Sequence, residues 1–327
     1  MKRPERLSRI LITVAVVGAI AAPLYVWART PLIHAKIAEN GGWSPDIIKA
    51  NVGEPLHLQL TSDDVVHGFS VGQMDMQSVD VLPGKVSDVT LNFDKPGIYT
   101  FFCTRWCGLN HWRMRGTIEV SGSPSDSEPA SVPLYVTLGL DIDAPHDARS
   151  IPTDKPSAVS GQQFTTQLSI TNHQATDYYR THSPFQAFED LNYTTLTDAQ
   201  RWEVVASIWQ ANTTKASLAK GQQLYAQNCA ACHGENGAGD GVFADDLKAA
   251  GESSAQTMSG AQDMAMQTPV DFTNPTRMLD ASPALLQGKI LRGGMGTGMP
   301  MWGSIFTEEQ IWDLIAYLYS FQFEYQN

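Results

Sequence analysis

Four cysteines stand in two short motifs, each with histidine or methionine close behind. The first motif reads Cys103-Thr-Arg-Trp-Cys107-Gly-Leu-Asn-His111-Trp-Arg-Met114, and His67 lies upstream on a predicted strand. Soft sulfur ligands combined with imidazole favour copper over hard cations. Because two cysteines are present, two sulfurs can bridge two copper ions. The spacing therefore indicates a binuclear copper site.

Two other interpretations of this motif stay open. Cys103 and Cys107 could form a disulfide, which an even cysteine count in an exported protein often indicates, or they could bind zinc. Neither interpretation accounts for Met114 and His67 together. The remaining histidines outside the two motifs have no ligand-like neighbours and are expected to be surface or structural residues: His34, His57, His146, His173 and His182.

The second motif, Cys229-Ala-Ala-Cys232-His233, is the C-x-x-C-H pattern of covalent haem attachment. In this pattern two thiols add to the haem vinyl groups, and the adjacent imidazole becomes the proximal iron ligand. A methionine is the expected second axial ligand, because His/Met ligation raises the reduction potential. Residues 293–303 offer three candidates, which are Met295, Met299 and Met301.

Alternating apolar residues between positions 43 and 120 predict a set of short strands. The predicted strands are 47–50, 56–61, 65–71, 86–93, 97–103 and 117–120, with turn signals at 82–84 and 94–97. This pattern is typical of a small β-sandwich or barrel. In such copper proteins an upstream ligand lies on a strand, which fits His67.

The chain changes character after the strands. Residues 121–183 are rich in Ser, Pro, Asp and Thr, a composition that predicts a linker. From Thr197 a capping residue and an apolar stripe predict a helix, and Thr307 begins a similar helix near the end of the sequence. Two helices of a duplicated domain and two ordinary amphipathic helices explain this similarity equally well. Residues 249–268 are expected to form a loop without a cofactor role.

The N-terminal segment predicts a membrane anchor. Residues 10–27 carry no charge, and a helix of this length covers roughly the hydrocarbon core of a bilayer. The first thirty residues hold five basic and one acidic side chain, so the positive-inside tendency puts the N-terminus in the cytoplasm. A cleaved signal peptide is the alternative, because residues 19–21 resemble a cleavage site. Both interpretations place the rest of the chain outside the plasma membrane.

Charge restricts the class of partner. The 327 residues carry a formal net charge of −12, which excludes a nucleic-acid partner because phosphate binding needs a basic surface. Residues 216–327 hold 5 basic and 12 acidic side chains, a net of −7. A basic electron donor would be steered toward this part of the chain.

The strand region resembles a known family. Residues 43–120 resemble the binuclear CuA cupredoxin domain of cytochrome oxidase subunit II and of nitrous oxide reductase. The resemblance implies the following ligands: Cys103 and Cys107 as bridging thiolates, His67 and His111 as terminal imidazoles, Met114 as a weak ligand on one copper, and the Arg105 carbonyl as a weak ligand on the other.

The sequence also departs from the usual oxidase subunit. That subunit has Glu where Arg105 stands, and the Glu helps to hold magnesium, so no such magnesium site is expected here. It also has two membrane helices, whereas this chain has one apolar run. In its single apolar run and its Cys-Gly-Leu-Asn-His motif, the sequence is similar to the single-helix subunits of B-type oxidases.

Residues 217–322 resemble a class I cytochrome c, in which a Gly-Met-Pro step precedes the final helix. By that match Met299 is the axial ligand, with Cys229, Cys232 and His233 binding the haem. The fold class is therefore expected to be multidomain: a transmembrane helix, an all-β cupredoxin sandwich and an all-α cytochrome c domain. The expected boundaries are a membrane anchor at 1–30, the CuA domain at 31–120, a partly helical linker at 121–215 and the cytochrome domain at 216–327.

The two resemblances together imply electron transfer. A fully ligated copper pair and a His/Met haem leave no position for a substrate, so this chain is expected to be a non-catalytic subunit of a haem-copper oxidase. It would pass electrons from an external donor, a cytochrome c or a small copper protein, through haem c and CuA to a catalytic subunit in the membrane. The alternatives are the electron-input subunit of a CuA-type nitric oxide reductase and a free-standing membrane-tethered redox shuttle. Nitrous oxide reductase itself is disfavoured, because the chain has too few histidines and too little length for the catalytic copper domain.

Overall fold

The structure is a computed structural model of the chain. It describes residues 12, 30–74, 76–105, 107–108, 111–122, 132–165, 168, 171–248, 269–294 and 299–326. The chain divides into two compact units, Met1–Val71 with Asp75–Ser127 and Gly72–Met74 with Glu128–Asn327.

The first unit is a β-sandwich. One sheet contains β1 (Leu32–Ala35), β2 (Trp43–Ser44), β4 (Leu56–Ser62) and β7 (Ser87–Leu91) in the order β2-β1-β4-β7. The other contains β3 (Ile47–Asn51), β5 (His67–Val71), β6 (Val79–Val81), β8 (Gly97–Cys103) and β9 (Arg115–Ser121) in the order β3-β9-β8-β5-β6. The β1–β4 and β3–β9 pairs are parallel, and the others are antiparallel.

Aromatic side chains fill the space between the sheets. The ring of Trp43 lies edge-on to Phe69 and Phe101, with centroid distances of 5.7 Å to each. All three side chains are buried, so their packing removes apolar area from water and stabilises the sandwich. Gly116 on β9 faces the Phe101 ring, where a Cβ would collide with the aromatic carbons. The core therefore requires glycine at position 116.

The all-β prediction for this region is confirmed, with several strand boundaries corrected; the strand predicted at 86–93, for example, spans Ser87–Leu91. The strand predicted at 65–71 begins only at His67, and Val65 is 42% exposed. The Asp64 carboxylate accepts hydrogen bonds from the backbone N–H groups of Val65 and Ile37 at 2.7 Å each, which holds the chain in a turn before the strand. The short strands β1, β2 and β6 were not predicted, because they have too few residues to show alternation.

The second unit is helical. The helices are α1 (Leu134–Thr137), α2 (Ala158–Thr165), α3 (Thr176–Thr181), α4 (Pro184–Asp190), α5 (Asp198–Ala211), α6 (Lys215–Asn228), α7 (Ala230–His233), α8 (Pro275–Met278), α9 (Pro283–Arg292) and α10 (Glu308–Tyr319). Capping boxes at Ser183, Thr197, Thr214 and Thr307 satisfy backbone N–H groups in the first turns of α4, α5, α6 and α10. The predicted helix starts at Thr197 and Thr307 are confirmed.

Helices α6 and α10 pack directly against each other. Gly221 on α6 lies against the backbone carbonyl of Asp313 on α10, and a Cβ at position 221 would collide with that carbonyl oxygen. The close approach of the two backbones therefore depends on glycine. A second cluster surrounds the buried Trp209 of α5, whose ring lies 5.8 Å from Tyr319 and 6.1 Å from Phe323.

The structure differs from the linker expected at 121–183. Within the described residues, α1, α2, α3 and the turn leading into α4 fall in this range. Tyr179 is buried, and its ring lies 5.6 Å from the ring of Trp209. The helices are short and carry few apolar residues each, so their polar surfaces dominate the composition and hide the helical pattern.

The predicted anchor at residues 10–27 lies outside the described residues except for Ile12, and the loop expected at 249–268 also lies outside them. Among the helices that the structure describes, none combines the length and the apolar character needed to cross a bilayer.

Candidate metal centres

The residues of the first motif converge at one end of the five-stranded sheet. His67 is the first residue of β5 and Cys103 is the last residue of β8, and these two strands are antiparallel neighbours in which Phe69 pairs with Cys103. A short 3-10 turn, His111–Arg113, then leads through Met114 into β9 on the other side of β8. Adjacent strands therefore bring residues that are far apart in sequence to the same place.

The two cysteines each face a different imidazole. The Sγ atoms of Cys103 and Cys107 lie 3.8 Å apart. Cys103 Sγ lies 3.8 Å from His67 Nδ1, and Cys107 Sγ lies 3.5 Å from His111 Nδ1. The ligand atoms of His67, Cys103 and Cys107 all lie within 4.8 Å of one another. Two thiols and two imidazoles thus form a compact, nearly symmetric donor set.

Two further donors flank the sulfurs. The Sδ of Met114 lies 3.2 Å from Cys107 Sγ, and the backbone oxygen of Arg105 lies 3.2 Å from Cys103 Sγ. Each sulfur therefore has one weak donor beside it in addition to the imidazoles. The structure brings together all six groups that the sequence resemblance implied.

The donor set is unevenly buried. His67, Cys103 and Met114 are buried, with at most 4% of each residue exposed, whereas Cys107 and His111 are partly exposed. One side of the cluster is therefore sealed in the sandwich, and the side that carries Cys107 and His111 faces the surface of the unit.

The surrounding residues fix the ligands in place. Asp64 Oδ1 lies 2.7 Å from His67 Nε2, so the carboxylate accepts a hydrogen bond from that nitrogen and leaves Nδ1 free to face Cys103. The Trp43 indole donates a hydrogen bond to the Met114 carbonyl at 3.1 Å. Sequence reasoning missed Asp64, although a carboxylate three residues before a candidate histidine ligand could have indicated its role.

The hydrogen bond between the two sulfurs favours a thiolate at Cys103 and a thiol at Cys107. The Cys107 thiol donates to the Cys103 sulfur, and this bond lowers the pKa of Cys103 to about 3 against the opposing effect of burial. The same bond raises the pKa of Cys107. Burial lowers the pKa of His67, but its hydrogen bonds to Cys103 and Asp64 outweigh burial, so the pKa is raised overall. Metal binding would displace these protons, because thiolate and neutral imidazole are the ligating forms.

The geometry separates the interpretations that the sequence left open. A disulfide needs sulfurs about 2.05 Å apart, whereas these are 3.8 Å apart and both cysteines are free. A structural zinc site takes four donors in a tetrahedron. The two thiols and two imidazoles would complete that set, so zinc does not account for the Met114 thioether and the Arg105 carbonyl beside them. The donors, two thiols, two imidazoles, a thioether and a carbonyl, fit copper.

The second motif lies on a helical turn at the end of α6. The backbone N–H groups of Cys232 and His233 donate to the Cys229 carbonyl at 3.1 and 2.9 Å, so the motif forms one compact turn. The Cys229 N–H in turn donates to the backbone carbonyl of Tyr225 in α6 at 2.8 Å. Because α6 packs against α10, the motif is attached to the rigid part of the helical unit.

The imidazole of His233 is held by a hydrogen bond and a ring contact. Its Nδ1 donates to the Val270 carbonyl at 3.1 Å, which fixes the tautomer and leaves Nε2 available as a ligand. The Phe272 ring stacks on it, with centroids 4.6 Å apart and planes inclined by 25°. Burial lowers the pKa of His233 and raises that of Cys229 to about 12, so both groups are neutral. A neutral imidazole and two thiols on one turn fit covalent haem attachment.

The candidate axial methionines are only partly described. Met299 is half-buried and Met301 is 60% exposed, whereas Met295 lies outside the described residues. Gly294 N–H donates to the Met299 carbonyl at 3.2 Å, and a Cβ on Gly293 would collide with Pro300, so residues 293–294 lie directly against residues 299–300. Ligation by Met299 stays a prediction.

Several of the histidines set aside in the sequence make ordinary polar contacts. His34 bonds to Asp63 at 2.8 Å, and His57 contacts Thr90 at 3.0 Å on the neighbouring strand. His182 stacks on Tyr178 at a centroid distance of 4.0 Å. These contacts are structural.

Both candidate sites lie in regions that match known protein families. Residues 46–121 match the family model described as the periplasmic domain of cytochrome c oxidase subunit II. Residues 218–322 match the cytochrome c family model. One region of the chain is therefore similar to the periplasmic domain of subunit II and another to cytochrome c, and these two similarities imply copper and haem c as cofactors.

Curated relatives match the first of these regions. Two proteins named cytochrome c oxidase subunit 2 from Thermus thermophilus are each 43% identical over 79 residues, which is 24% of this chain and 58% or 46% of the relative. The chain therefore spans about half the length of these curated relatives. The solved periplasmic domain of cytochrome oxidase subunit II from Bradyrhizobium japonicum is 26% identical, covering 23% of this chain and 53% of that chain, with a TM-score of 0.22.

Proposed function

We propose that this chain is the electron-input subunit of a haem-copper terminal oxidase. Electrons from an external donor enter at haem c and pass to a binuclear CuA centre, from which a catalytic subunit takes them for the reduction of oxygen. The observation that carries the proposal is the pair of sulfurs at Cys103 and Cys107, 3.8 Å apart and each within 3.8 Å of an imidazole nitrogen, in one chain with a C-x-x-C-H motif.

The copper ligands are the side chains of the donor set and one carbonyl: Cys103, Cys107, His67, His111, Met114 and the backbone oxygen of Arg105. When bound, the copper pair supplies a one-electron carrier in which the charge is shared by two metals. The protein contributes rigidity, since His67 and Cys103 lie on paired strands and Asp64 orients the His67 ring. A donor set that moves little between redox states favours fast electron transfer.

The haem would be held by Cys229, Cys232, His233 and Met299. When bound, it supplies a second one-electron carrier. With His233 and Met299 both serving as ligands, the haem would offer no place for a substrate. The six donors around the copper pair likewise leave no open position. The chain therefore transfers electrons, and the chemistry on oxygen belongs to a partner.

The partner of this chain is a catalytic subunit in the membrane. Residues 10–27 anchor the chain, with the N-terminus in the cytoplasm and both redox domains on the outer side of the plasma membrane. The net charge of −7 on residues 216–327 favours a basic donor, whose reduction of the haem should slow as salt is added.

Spectroscopy of the purified full chain tests the cofactors. We expect two copper ions and one haem per chain, a low-spin haem c spectrum and a seven-line EPR signal from an electron shared by two copper nuclei. A four-line signal from a single copper would contradict the binuclear site. A chain that is fully loaded with haem and contains no copper would reduce the proposal to a tethered cytochrome.

Purification in mild detergent tests the partner. We expect a catalytic subunit to accompany the chain, and deletion of the chain to abolish the oxygen uptake of that complex. Uptake of nitric oxide in place of oxygen would favour a CuA-type nitric oxide reductase. A chain that always runs alone would favour a free-standing redox shuttle.

A further inference from the structure

Gln322 is a buried polar residue just beyond the end of α10. Only 6% of it is exposed, although glutamine usually lies at the surface. Its Nε2 donates a hydrogen bond to the backbone carbonyl of Phe272, 50 residues earlier in the chain, at 2.6 Å. A buried amide that bonds to one distant carbonyl ties two segments of the helical unit together.

Both backbone polar groups of Phe272, the carbonyl and the N–H, are hydrogen-bonded. While its carbonyl accepts from Gln322, its N–H donates to the carbonyl of Gly237 at 2.6 Å, in the loop that follows the C-x-x-C-H motif. Its ring also stacks on Phe321, with centroids 6.4 Å apart and planes inclined by only 8°. Phe272 therefore has little freedom to shift or to rotate.

The restrained segment is the one that contacts His233. The Phe272 ring stacks on the imidazole at 4.6 Å, and Val270, two residues earlier, accepts the hydrogen bond from Nδ1 at 3.1 Å. Both contacts that set the plane of the imidazole thus come from residues 270–272. Those residues are in turn fixed by Gln322.

We infer that Gln322 is a positioning residue for the proximal haem ligand, acting through Phe272 on the ring of His233. The inference rests on the proposed role of His233 as the iron ligand. A hydrogen bond from Nδ1 to a carbonyl makes the imidazole a stronger donor to iron and sets the ring orientation. The hydrogen bonding around an axial ligand is also one means by which a protein adjusts the haem potential.

The test compares the holoprotein with two leucine variants of buried glutamines. Gln322→Leu removes the amide that bonds to Phe272. Gln287→Leu is the matched control, because Gln287 is 2% exposed on α9 and its hydrogen bond, accepted from the backbone N–H of Tyr135 at 3.4 Å, does not involve residues 270–272. Both changes exchange one buried amide for an apolar group of similar size.

We expect Gln322→Leu to bind a full complement of haem, to raise the midpoint potential of the haem, and to broaden its low-spin EPR features as the imidazole samples several orientations. The control is expected to keep the wild-type potential and line shape. Phe272→Leu is a second variant, used where Gln322→Leu does not fold, and it should raise the potential and broaden the signal in the same way.

The outcomes distinguish the inference from the proposed function. A wild-type chain without covalently bound haem would overturn the proposed function. Normal haem content with an unchanged potential and EPR spectrum in Gln322→Leu, or in Phe272→Leu where that variant is needed, would overturn the positioning role alone. An equal shift in Gln287→Leu would also overturn it, since the effect would then follow from loss of any buried amide.

Discussion

Cys103 and Cys107 place their sulfurs 3.8 Å apart at the end of a single β-sheet, with a different imidazole against each. One sulfur is buried in the sandwich and the other is partly exposed. The strong donors are therefore alike in chemistry but differ in their exposure to solvent. This difference gives each residue of the cluster a distinct expected effect when it is replaced.

Replacing Cys107 should convert the copper pair into a single copper site. Cys107→Ser removes one bridging sulfur but leaves Cys103 and His67, which can still bind one metal. We expect the copper content to fall from two ions to one and the seven-line EPR signal to become a four-line signal. Cys232→Ser is the control, because it should impair haem attachment and leave the copper signal intact. A seven-line signal in Cys107→Ser would contradict the bridging role.

Replacing Met114 should change the copper potential more than the stability. Met114→Leu conserves volume in a site that is 1% exposed, so we expect a loss of less than about 1.5 kcal/mol in the free energy of unfolding. Loss of a thioether donor should raise the reduction potential of the copper, because the oxidised metal loses a ligand. Redox titration and denaturant unfolding measure the two effects. Met278→Leu, also buried but in the helical unit, should leave the copper potential unchanged.

Adding one methyl group at position 221 should separate two packed helices. Gly221→Ala places a Cβ against the Asp313 carbonyl, and overpacking of this kind typically costs about 1–3 kcal/mol. We expect thermal unfolding of the helical unit at a lower temperature and reduced incorporation of haem. Gln223→Ala, at an exposed position on the same helix, should change stability by less than about 0.5 kcal/mol. Equal stability of the two variants would contradict the close approach of the helices.

Asp313 should make the stability of the helical unit depend on pH. Burial raises the pKa of this carboxyl above its usual 3.8, so the protonated form is favoured in the folded state. Its contribution to stability is complete below the unfolded value of 3.8 and is lost as the pH rises through the folded value. Asp313→Asn cannot ionise and should be more stable than the wild type at neutral pH.

Unfolding followed by far-ultraviolet circular dichroism at several pH values checks this prediction. The difference between Asp313→Asn and the wild type should shrink toward zero below pH 3.8. Glu235→Gln, at an exposed position of the helical unit, should show no comparable gain. A constant difference at all pH values would contradict the ionisation mechanism.

Most of the candidate copper site could be predicted from the sequence, because four of its donors lie within twelve residues. The spacing of Cys103, Cys107, His111 and Met114 identified the chemistry, and one strand prediction supplied His67. The role of Asp64 was missed, because its spacing from His67 is only a weak signal and the contact depends on a turn that directs the carboxylate at Nε2 of the imidazole. The hydrogen bond from Gln322 to Phe272 could not be predicted from the sequence, because 50 residues separate the two.

The fold was predictable where local patterns are strong. Strand 97–103 and the capped helices at Thr197 and Thr307 follow from alternation and capping boxes. The helices between residues 134 and 190 were missed, because none is longer than eight residues and a stripe of apolar residues therefore repeats too few times to stand out. Their stability comes from contacts distant in sequence, such as the ring of Tyr179 against Trp209.

Strand β1 begins at Leu32 and pairs with β4 within its sheet, only a few residues after the proposed anchor. Four residues of fully extended chain, from position 28 to Leu32, reach at most about 14 Å. In an anchored chain, the copper domain would thus be connected to the membrane by a very short segment and would stay close to the bilayer. Encounters with a membrane-embedded acceptor would then become a search in two dimensions, with most of the orientational freedom of the domain already removed.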